Sequence, residues 1–282
     1  MTVKPAPAGT GIIFRRVDLG EDAVIRTIAS NVSCTARSTT LTQGEASVST
    51  IEHLMSALCG MGIDNAFVDI DNVEVPILDG SARLYVEAFK ADGLVEQDAE
   101  RAYVTVPHEI FVEDEKSGSW VRISPADAPS FDVTVDFGSK VLGVQSSHWD
   151  RDVDYSTEIG VCRTFVFFHE IEFLFQNNLV KGGDVENAIV IVEHPVSDGQ
   201  LERLSSLFCV PKLSVGQEGY LNNLQLRFPN ECGRHKMLDM MGDLMLCGGC
   251  LAAKVTAFKP GHGINTRAAK AVIDAISAKN CI

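Results

Sequence analysis

Three polar side chains recur every four residues in the stretch from Arg234 to Leu246. They are His235, Asp239 and Asp243, and on a helix they form one stripe, because residues four apart share a face. The stretch lacks proline and precedes Gly248-Gly249, which predicts a helix that stops there. An imidazole one turn before a carboxylate could supply two zinc ligands, although solvated polar pairs on surface helices have the same spacing.

The segment Ser49-Thr50-Ile51-Glu52-His53 offers a third ligand and a general base. Catalytic zinc usually has three protein ligands and an open position, and His53 is the natural addition to His235 and Asp239. Glu52 would then bring a carboxylate beside the metal without ligating it, as a general base requires. Ser49 and Glu52 also fit a capping box, which would by itself explain the glutamate.

A further histidine, His262, lies in the glycine-rich segment Lys259-Pro260-Gly261-His262-Gly263. We expect a turn there, from which the imidazole could project into a cleft and act as a general acid. An ordinary polar histidine in a loop would give the same pattern, so both interpretations stay open.

The eight cysteines are scattered through apolar segments, which indicates reduced, buried thiols and not a disulfide framework. Cys247-Gly248-Gly249-Cys250 has the spacing of a zinc or redox motif. The sequence has no second such pair, and a helix is expected to end and a strand to begin there. Core packing is therefore the favoured interpretation.

Size and charge exclude several classes of protein. The chain has 282 residues, 45% of them hydrophobic, which is enough for a large core and suggests two domains. Its formal net charge of -14 argues against a broad nucleic-acid interface, since phosphate binding needs the opposite sign. The sequence has no apolar run long enough to span a bilayer and no signal-peptide core at its start. We therefore expect a cytoplasmic protein without a transmembrane segment.

The elements that must position these residues alternate between strands and helices. A polar connection at 92–102 is the candidate domain boundary, and residues 194–220 show no clear period. Apolar alternation and turn residues predict strands at about 24–41, 65–70, 103–114, 119–124, 131–137, 188–192 and 251–258. Helices are expected after Ser49, after Ser81, near 170–177, over 234–246 and over 264–278.

Six separated motifs together resemble one family. They are Ser49-Thr50-Ile51-Glu52-His53-Leu54, Gly62-Ile63-Asp64-Asn65, Glu74-Val75-Pro76-Ile77-Leu78-Asp79-Gly80-Ser81-Ala82, Arg163-Thr164-Phe165, the helix 234–246 and Lys259-Pro260-Gly261-His262. In this order, and over nearly the whole chain, they resemble the zinc-dependent UDP-3-O-acyl-N-acetylglucosamine deacetylase of lipid A biosynthesis. The resemblance implies hydrolysis of the N-acetyl group to acetate and the free 3-O-acylglucosamine nucleotide.

The resemblance also implies an α+β fold of two similarly built domains. Each would be a β-sheet with helices on one face, and the helical layers would pack together at the active site. The N-terminal domain would cover residues 1–98 and the C-terminal domain 99–282, with an insert near 165–192 that forms a passage for the acyl chain.

The site residues of the family carry over onto matching positions. One zinc ion would be held by His53, His235 and Asp239, with Glu52 as general base. His262 would be the acid that protonates the departing amine, with Asp243 as its orienting partner. Thr164 would stabilise the oxyanion, and Lys236 would supply positive charge near the attacking water and the substrate phosphates. The substrate contacts would be Phe137 and Lys259 on the nucleotide side, and Phe165, Leu179 and Val180 along the acyl chain.

One departure from the family concerns the start of the chain. Family members begin with a further strand-forming segment ahead of the region matched by Lys4-Pro5-Ala6, so we expect an N-terminally truncated chain. Some members are also fused to a 3-hydroxyacyl-carrier-protein dehydratase, a possible partner domain here. The alternative to an active enzyme is a catalytically silent fragment that serves only as a binding or partner module. A peptidase is disfavoured, because the sequence lacks HExxH.

Overall fold

A computed structural model describes residues 1–171 and 187–279. The strands in these ranges are Thr2–Pro5 (β1), Ile12–Arg16 (β2), Val24–Arg26 (β3), Val32–Cys34 (β4), Thr40–Gln43 (β5), Ala46–Val48 (β6), Ala66–Ile70 (β7), Val104–Thr105 (β8), Ile110–Asp114 (β9), Ser119–Pro125 (β10), Ser130–Asp136 (β11), Val144–Asp150 (β12), Phe165–Phe167 (β13), Ile189–Ile191 (β14) and Leu251–Phe258 (β15). The helices there are Glu52–Gly60 (α1), Arg83–Asp92 (α2), Tyr155–Glu158 (α3), Asp198–Leu207 (α4), Glu231–Leu244 (α5) and His262–Lys279 (α6).

The first sheet has the strand order β1-β7-β2-β3, and its central pair, β2 and β7, is parallel. Buried and half-buried residues alternate along both strands, as expected for strands with one face on a core. Phe14 of β2 and Val68 of β7 are fully buried in the same apolar cluster as Leu54 and Leu58 of α1. The sheet thus packs against the helix that carries Glu52 and His53.

The second sheet has the order β12-β11-β15-β10-β9, with β8 paired to β15. Its strand β15 runs parallel to β11 and antiparallel to β10, and helices α5 and α6 pack on the sheet. Val133 and Val255 of these strands join Leu238 of α5 and Ala268 of α6 in the apolar cluster that also contains the first sheet. The architecture is therefore α+β, with a core continuous between the two sheets.

The two helical layers meet where α1 packs against α5, at Gly242. A Cβ atom at this position would lie 2.1 Å from the backbone carbonyl oxygen of Glu52 and 2.9 Å from its carbonyl carbon. Only glycine permits so close an approach of the two backbones. This contact sets the side chains at the start of α1 beside those of α5.

A smaller layer lies beside the second sheet. Strands β13 and β14 pair in parallel, and Val190 packs with Leu201 and Leu204 of α4 in an apolar cluster of its own. Helix α4 begins with a capping box between Ser197 and Gln200. Residues 194–220 show no clear period in the sequence, although the capping residues could have marked the helix.

Most predicted elements are confirmed, with shifted ends. The strand predicted at 24–41 is instead divided among β3, β4 and the start of β5, with a 3₁₀ turn at Ala29–Asn31 between the first two. Helix α5 begins three residues before the predicted Arg234, and α6 begins at His262, ahead of the predicted 264. Residues 168–171 are helical, and the rest of the helix predicted near 170–177 lies outside the described residues. Within the described ranges, no helix is both long and apolar enough to cross a membrane. The domain boundary near residue 98 stays a prediction.

Candidate active site

The chain enters α1 through a strained turn. Thr50 has a positive φ of 58°, which is uncommon for a β-branched residue, and its hydroxyl donates to Glu74 Oε1 at 3.0 Å. The helix starts at Glu52 with Ile51 as its cap, and Ser49 Oγ donates instead to the Val73 carbonyl. The capping box predicted for Ser49 and Glu52 is therefore wrong, because the left-handed turn carries Ser49 away from the helix start.

The predicted stripe on α5 is present and buried. His235, Asp239 and Asp243 are each at most 2% exposed, and they face the start of α1. His53, the second residue of α1, lies edge-to-face with His235, with ring centroids 5.0 Å apart. The stripe is therefore an internal surface and not a solvated polar pair.

His53, His235 and Asp239 form what we call the ligand cluster. Their possible ligand atoms all lie within 4.8 Å of one another. Asp239 Oδ1 lies 3.6 Å from His53 Nε2 and 3.4 Å from His235 Nε2. This oxygen and His53 Nδ1 are buried and have no hydrogen-bond partner in the described part of the chain. Two imidazole nitrogens and a carboxylate oxygen that converge in this way fit a divalent metal ion.

Charge and hydrogen bonding prepare these residues as ligands. His235 Nδ1–H donates to the Cys162 carbonyl at 3.1 Å, which leaves the Nε2 lone pair facing the cluster. Burial lowers the pKa of His235 to about 3, so the imidazole is neutral. Burial alone would raise the pKa of Asp239, but the Lys236 ammonium beside it holds that pKa well below its ordinary range. Lys236 Nζ donates to Asp239 Oδ2 at 2.8 Å.

Beside the ligand cluster lies a second group, the hydrogen-bonded cluster. Asp243 Oδ1 accepts from Thr39 Oγ1 at 2.5 Å, and Asp243 Oδ2 accepts from Asn265 Nδ2 at 2.9 Å and lies 2.9 Å from His262 Nδ1. Thr39 N–H donates to Glu52 Oε2 at 3.1 Å. The five members, all buried, are Thr39, Glu52, Asp243, His262 and Asn265.

Glu52 and His262 face each other across this cluster. Glu52 Oε1 lies 3.8 Å from His262 Nε2, too far for a direct hydrogen bond. Burial raises the pKa of Glu52 above its ordinary value. For His262, burial favours the neutral form, but the Asp243 and Glu52 carboxylates outweigh it and raise the pKa to about 9. The pair is thus poised for one group to accept a proton and the other to give one.

The position of His262 corrects the expectation of a freely projecting turn residue. It is the first residue of α6 and is 8% exposed, with its ring held against Asp243. Lys259, three residues earlier, has a positive φ of 52° and takes the chain from β15 toward the helix. A strained non-glycine residue thus stands three positions before both His53 and His262.

The segment that contains Thr164 runs beside His235. Arg163 forms a buried ion pair with Glu231 at the start of α5, with Nε donating to Oε1 at 2.9 Å. Thr164 N–H donates to the Gly80 carbonyl at 2.7 Å. These bonds hold Thr164 between the helix that carries His235 and the Gly80 turn. The role of its hydroxyl stays a prediction.

Two of the predicted substrate-contact residues, Phe137 and Phe165, form an aromatic pair beside the ligand cluster. The Phe165 ring packs edge-on against Phe137 at 5.4 Å and lies 6.4 Å from His235, between ring centroids. Phe137 is 44% exposed, which leaves a face open for a ligand. Lys259 Nζ pairs with Asp136 at 3.3 Å. Leu179 and Val180 lie outside the described residues.

Thr39, Asn265 and Gly242 were missed at the sequence level. Thr39 reaches Glu52 over 13 positions and Asp243 over 204, so no local pattern connects them. Asn265 follows His262 by three positions, and this helical spacing could have suggested that both face one partner.

The cysteines follow the predicted pattern in part. Cys34 and Cys209 are exposed, contrary to the expectation of buried thiols, since both lie in surface segments. Cys247 is buried in the core, as favoured, but Cys250 lies against Cys59 of α1, with the two Sγ atoms 3.3 Å apart.

The sequence is similar to known proteins over nearly its whole length. The sequence model of the UDP-3-O-acyl N-acetylglycosamine deacetylase family matches residues 1–208 and 210–274. A bifunctional enzyme LpxC/FabZ of Porphyromonas gingivalis is 43% identical over 96% of this chain and 59% of its own length. A UDP-3-O-acyl-N-acetylglucosamine deacetylase of Thioalkalivibrio sulfidiphilus is 36% identical over 99% of this chain and 84% of its own length. The chain thus spans about three-fifths of the bifunctional relative.

Proposed function

The chain belongs to the UDP-3-O-acyl N-acetylglycosamine deacetylase family, and we propose that it hydrolyses the N-acetyl group of UDP-3-O-acyl-N-acetylglucosamine. The products would be acetate and the UDP-linked 3-O-acylglucosamine used in lipid A biosynthesis. One observation carries the proposal above the others. A buried oxygen of Asp239, without a partner in the described ranges, lies between the Nε2 atoms of His53 and His235, beside the facing pair Glu52 and His262.

The residues that would hold one zinc ion are His53, His235 and Asp239. Their donor set of two neutral imidazoles and one carboxylate is typical of catalytic zinc, which keeps a further position for water or substrate. When bound, the ion would supply a Lewis acid that polarises the acetamide carbonyl and makes a coordinated water more acidic. Side chains of the protein would carry out the proton transfers and add to the stabilisation of charge.

Glu52 would accept the proton of the attacking water. Its raised pKa brings it nearer to neutrality than an ordinary glutamate, which suits a group that must first accept and later release a proton. The Thr39 N–H holds Oε2, so Oε1 is the oxygen that faces the reacting atoms. The hydrogen bond therefore selects which oxygen acts as the base.

His262 would donate a proton to the leaving amine. An amine departs poorly as an anion, so a protonated partner is required. Asp243 stabilises the imidazolium through Nδ1, and this directs the Nε2–H toward Glu52 and the space between them. The raised pKa of about 9 keeps the donor charged at neutral pH.

Two further side chains would stabilise charge in the transition state. The Thr164 hydroxyl would donate to the oxyanion that develops from the carbonyl, and the Lys236 ammonium would add positive charge near the attacking water and the phosphates. Lys236 is already ordered by Asp239 and by the Phe165 ring, whose centroid lies 5.5 Å from Nζ. Preorganised donors of this kind cost little reorganisation when the reaction occurs.

Aromatic and cationic side chains beside the ligand cluster would contact the substrate. Phe137 offers an exposed ring for the nucleotide, with Lys259 near it, and Phe165 borders the ligand cluster on the acyl side. Two of the similar proteins are named bifunctional enzyme LpxC/FabZ. We propose by analogy a fused dehydratase as the partner domain of this chain, and the cytoplasm as its site of action.

Acetate release from UDP-3-O-acyl-N-acetylglucosamine tests this proposal. We expect the purified chain to lose activity with a chelator and to regain it with zinc, whereas Asp239→Asn should stay inactive at every zinc concentration. Asp127→Asn, a change of the same chemistry at an exposed position, is the matched control. A folded chain that binds zinc and substrate without releasing acetate would support the alternative, a catalytically silent binding module.

A further inference from the structure

Two cysteines distant in sequence are in contact at the far end of α1 from Glu52 and His53. Cys59 lies in the last turn of α1, and Cys250 directly precedes β15. Their Sγ atoms are 3.3 Å apart, although 191 positions separate them. A disulfide bond is about 2.0 Å long, so only a small approach of the two sulfurs would be needed to form one.

Both thiols line a cavity of about 440 Å³, and the charged side chains in its lining are Arg101, Arg151 and Asp154. Arg101 and Arg151 share this lining with Tyr103. Arg101 is held in place by Asp64, at 2.8 Å, and by the Gly62 carbonyl. The Arg151 guanidinium lies 5.0 Å from the centroid of the Tyr103 ring. The lining thus has two guanidinium groups against one carboxylate, which favours a small anionic ligand here although the chain has a net charge of -14.

The surroundings shift the pKa values of the two thiols in opposite directions. Either thiol can donate in the hydrogen bond between them. With Cys59 as the donor, this bond lowers the pKa of Cys250, and Arg101 and Arg151 act in the same direction, against burial and the Asp64 charge. The same hydrogen bond and burial raise the pKa of Cys59 well above its ordinary value. Cys250 is therefore the nucleophile of the pair, and Cys59 is the thiol that follows it.

We propose that Cys250 and Cys59 form a redox-active thiol pair that reacts with an anionic low-molecular-weight disulfide and closes to a Cys59–Cys250 disulfide. The Cys250 thiolate attacks one sulfur of glutathione disulfide, which gives a mixed disulfide and releases one glutathione thiolate. Cys59 then loses its proton and attacks Cys250 Sγ, and the second glutathione thiolate leaves. Two protein thiols are oxidised, and one glutathione disulfide is reduced to two molecules of thiol.

The modification would tie together two elements that lead to the candidate active site. Helix α1 begins with Glu52 and His53, and β15 leads to Lys259 and His262. The redox activity proposed for Cys59 and Cys250 is independent of the proposed deacetylase function, because it follows from the thiol contact and the cavity lining alone.

The full reduced chain, treated with glutathione disulfide at neutral pH and low salt, tests the proposal. After acid quenching and digestion, mass spectrometry should find a peptide cross-linked between Cys59 and Cys250. In Cys59→Ser, we expect a stable glutathione adduct on Cys250, because the second thiol is missing. Exposed Cys34 serves as the reference within the same molecule.

The charge of the reagent separates a built site from general thiol reactivity. Relative to Cys34, Cys250 should react about fivefold or more faster with anionic glutathione disulfide than with cationic cystamine, and Arg151→Gln should reduce this preference. The proposal is overturned if Cys250 in the Cys59→Ser variant reacts more slowly than Cys34 with both reagents. It is equally overturned if the wild-type chain gives no Cys59–Cys250 cross-link.

Discussion

The ligand cluster and the hydrogen-bonded cluster lie side by side and share the same two helices, yet they differ in how their polar atoms are satisfied. In the hydrogen-bonded cluster, both oxygens of Asp243 accept bonds from Thr39 and Asn265. In the ligand cluster, the buried Oδ1 of Asp239 has no such partner among the described residues. The protein alone completes the first arrangement, whereas a cation would complete the second.

The difference shows that hydrogen bonding, and not residue type, separates the roles of neighbouring carboxylates. Asp239 and Asp243 are one helical turn apart on α5 and are equally buried. Asp239 Oδ1 faces two imidazole nitrogens, while Asp243 is saturated by donors and holds His262. Two carboxylates of one stripe can thus serve a metal and a proton donor.

The largest effect is expected from a substitution at Gly242, because both clusters depend on the close contact between α1 and α5 at this residue. In Gly242→Ala, the new methyl group would overlap the Glu52 carbonyl oxygen, which lies 2.1 Å from an ideal Cβ. We expect about 3 kcal/mol or more of lost stability and loss of both zinc binding and acetate release. Thermal unfolding measures the first effect.

Gly199→Ala is the matched control, since Gly199 is also helical and a Cβ there meets no atom within 4 Å. This variant should be as stable as the wild type or slightly more so. Equal stability of both alanine variants would contradict the role given to Gly242.

The next largest effect should separate the clusters. Glu52→Gln keeps the shape of the side chain but cannot accept a proton, so acetate release should fall by about 10²- to 10⁴-fold. Zinc content should stay at the wild-type level, because Glu52 belongs to the hydrogen-bonded cluster. Loss of zinc together with activity would show that the two clusters are not distinct.

The pH dependence tests His262. Its pKa is raised to about 9, so the proton donor is lost as the pH rises through that region. A bound cation nearby lowers this value, and we expect the basic limb of kcat/KM at or somewhat below pH 9. The acidic limb should belong to Glu52, whose pKa burial raises and a bound cation lowers, so this limb should move to higher pH in a variant with weaker zinc binding.

His262→Gln should abolish the basic limb and lower activity by about 10²-fold. A basic limb that survives unchanged in this variant would assign the limb to another group. Lys236, whose pKa is also raised, is the nearest candidate for that outcome.

The smallest expected effect tests the hydrogen bond from Thr39 to Asp243. Thr39→Val removes the hydroxyl but keeps the backbone N–H that binds Glu52, so only the Asp243 side of the cluster is disturbed. We expect about a tenfold loss in kcat, with little change in KM. Thr39→Ser should restore most of the activity. A serine variant no better than valine would show that the hydroxyl does not act through this bond.

The parts of the site that follow from local spacing could be predicted from the sequence. His235, Asp239 and Asp243 share a face because helix geometry requires it, and the structure has them on one buried stripe. Most elements were also predicted from apolar periodicity, and the resemblance to the family implied the α+β fold. Element ends shifted by a few residues, as at His262, because the first helical turn makes no repeating apolar pattern.

The contacts that depend on the tertiary fold could not be predicted from the sequence. The bonds from Thr39, the backbone contact at Gly242 and the Cys59–Cys250 pair all join segments that are far apart in sequence. The capping box at Ser49 failed for a related reason. Ser49 and Glu52 have the spacing of a capping box. However, the positive φ of Thr50 and the hydrogen bond from Ser49 to the Val73 carbonyl give the segment another conformation.

A crystal structure of the zinc-soaked protein, with anomalous data at the zinc edge, tests the central claim most directly. We expect one anomalous peak per chain, within about 2.0–2.2 Å of His53 Nε2, His235 Nε2 and Asp239 Oδ1. A peak held by other residues, or its absence from this cluster in protein that is saturated with zinc, would contradict the assignment of a metal centre.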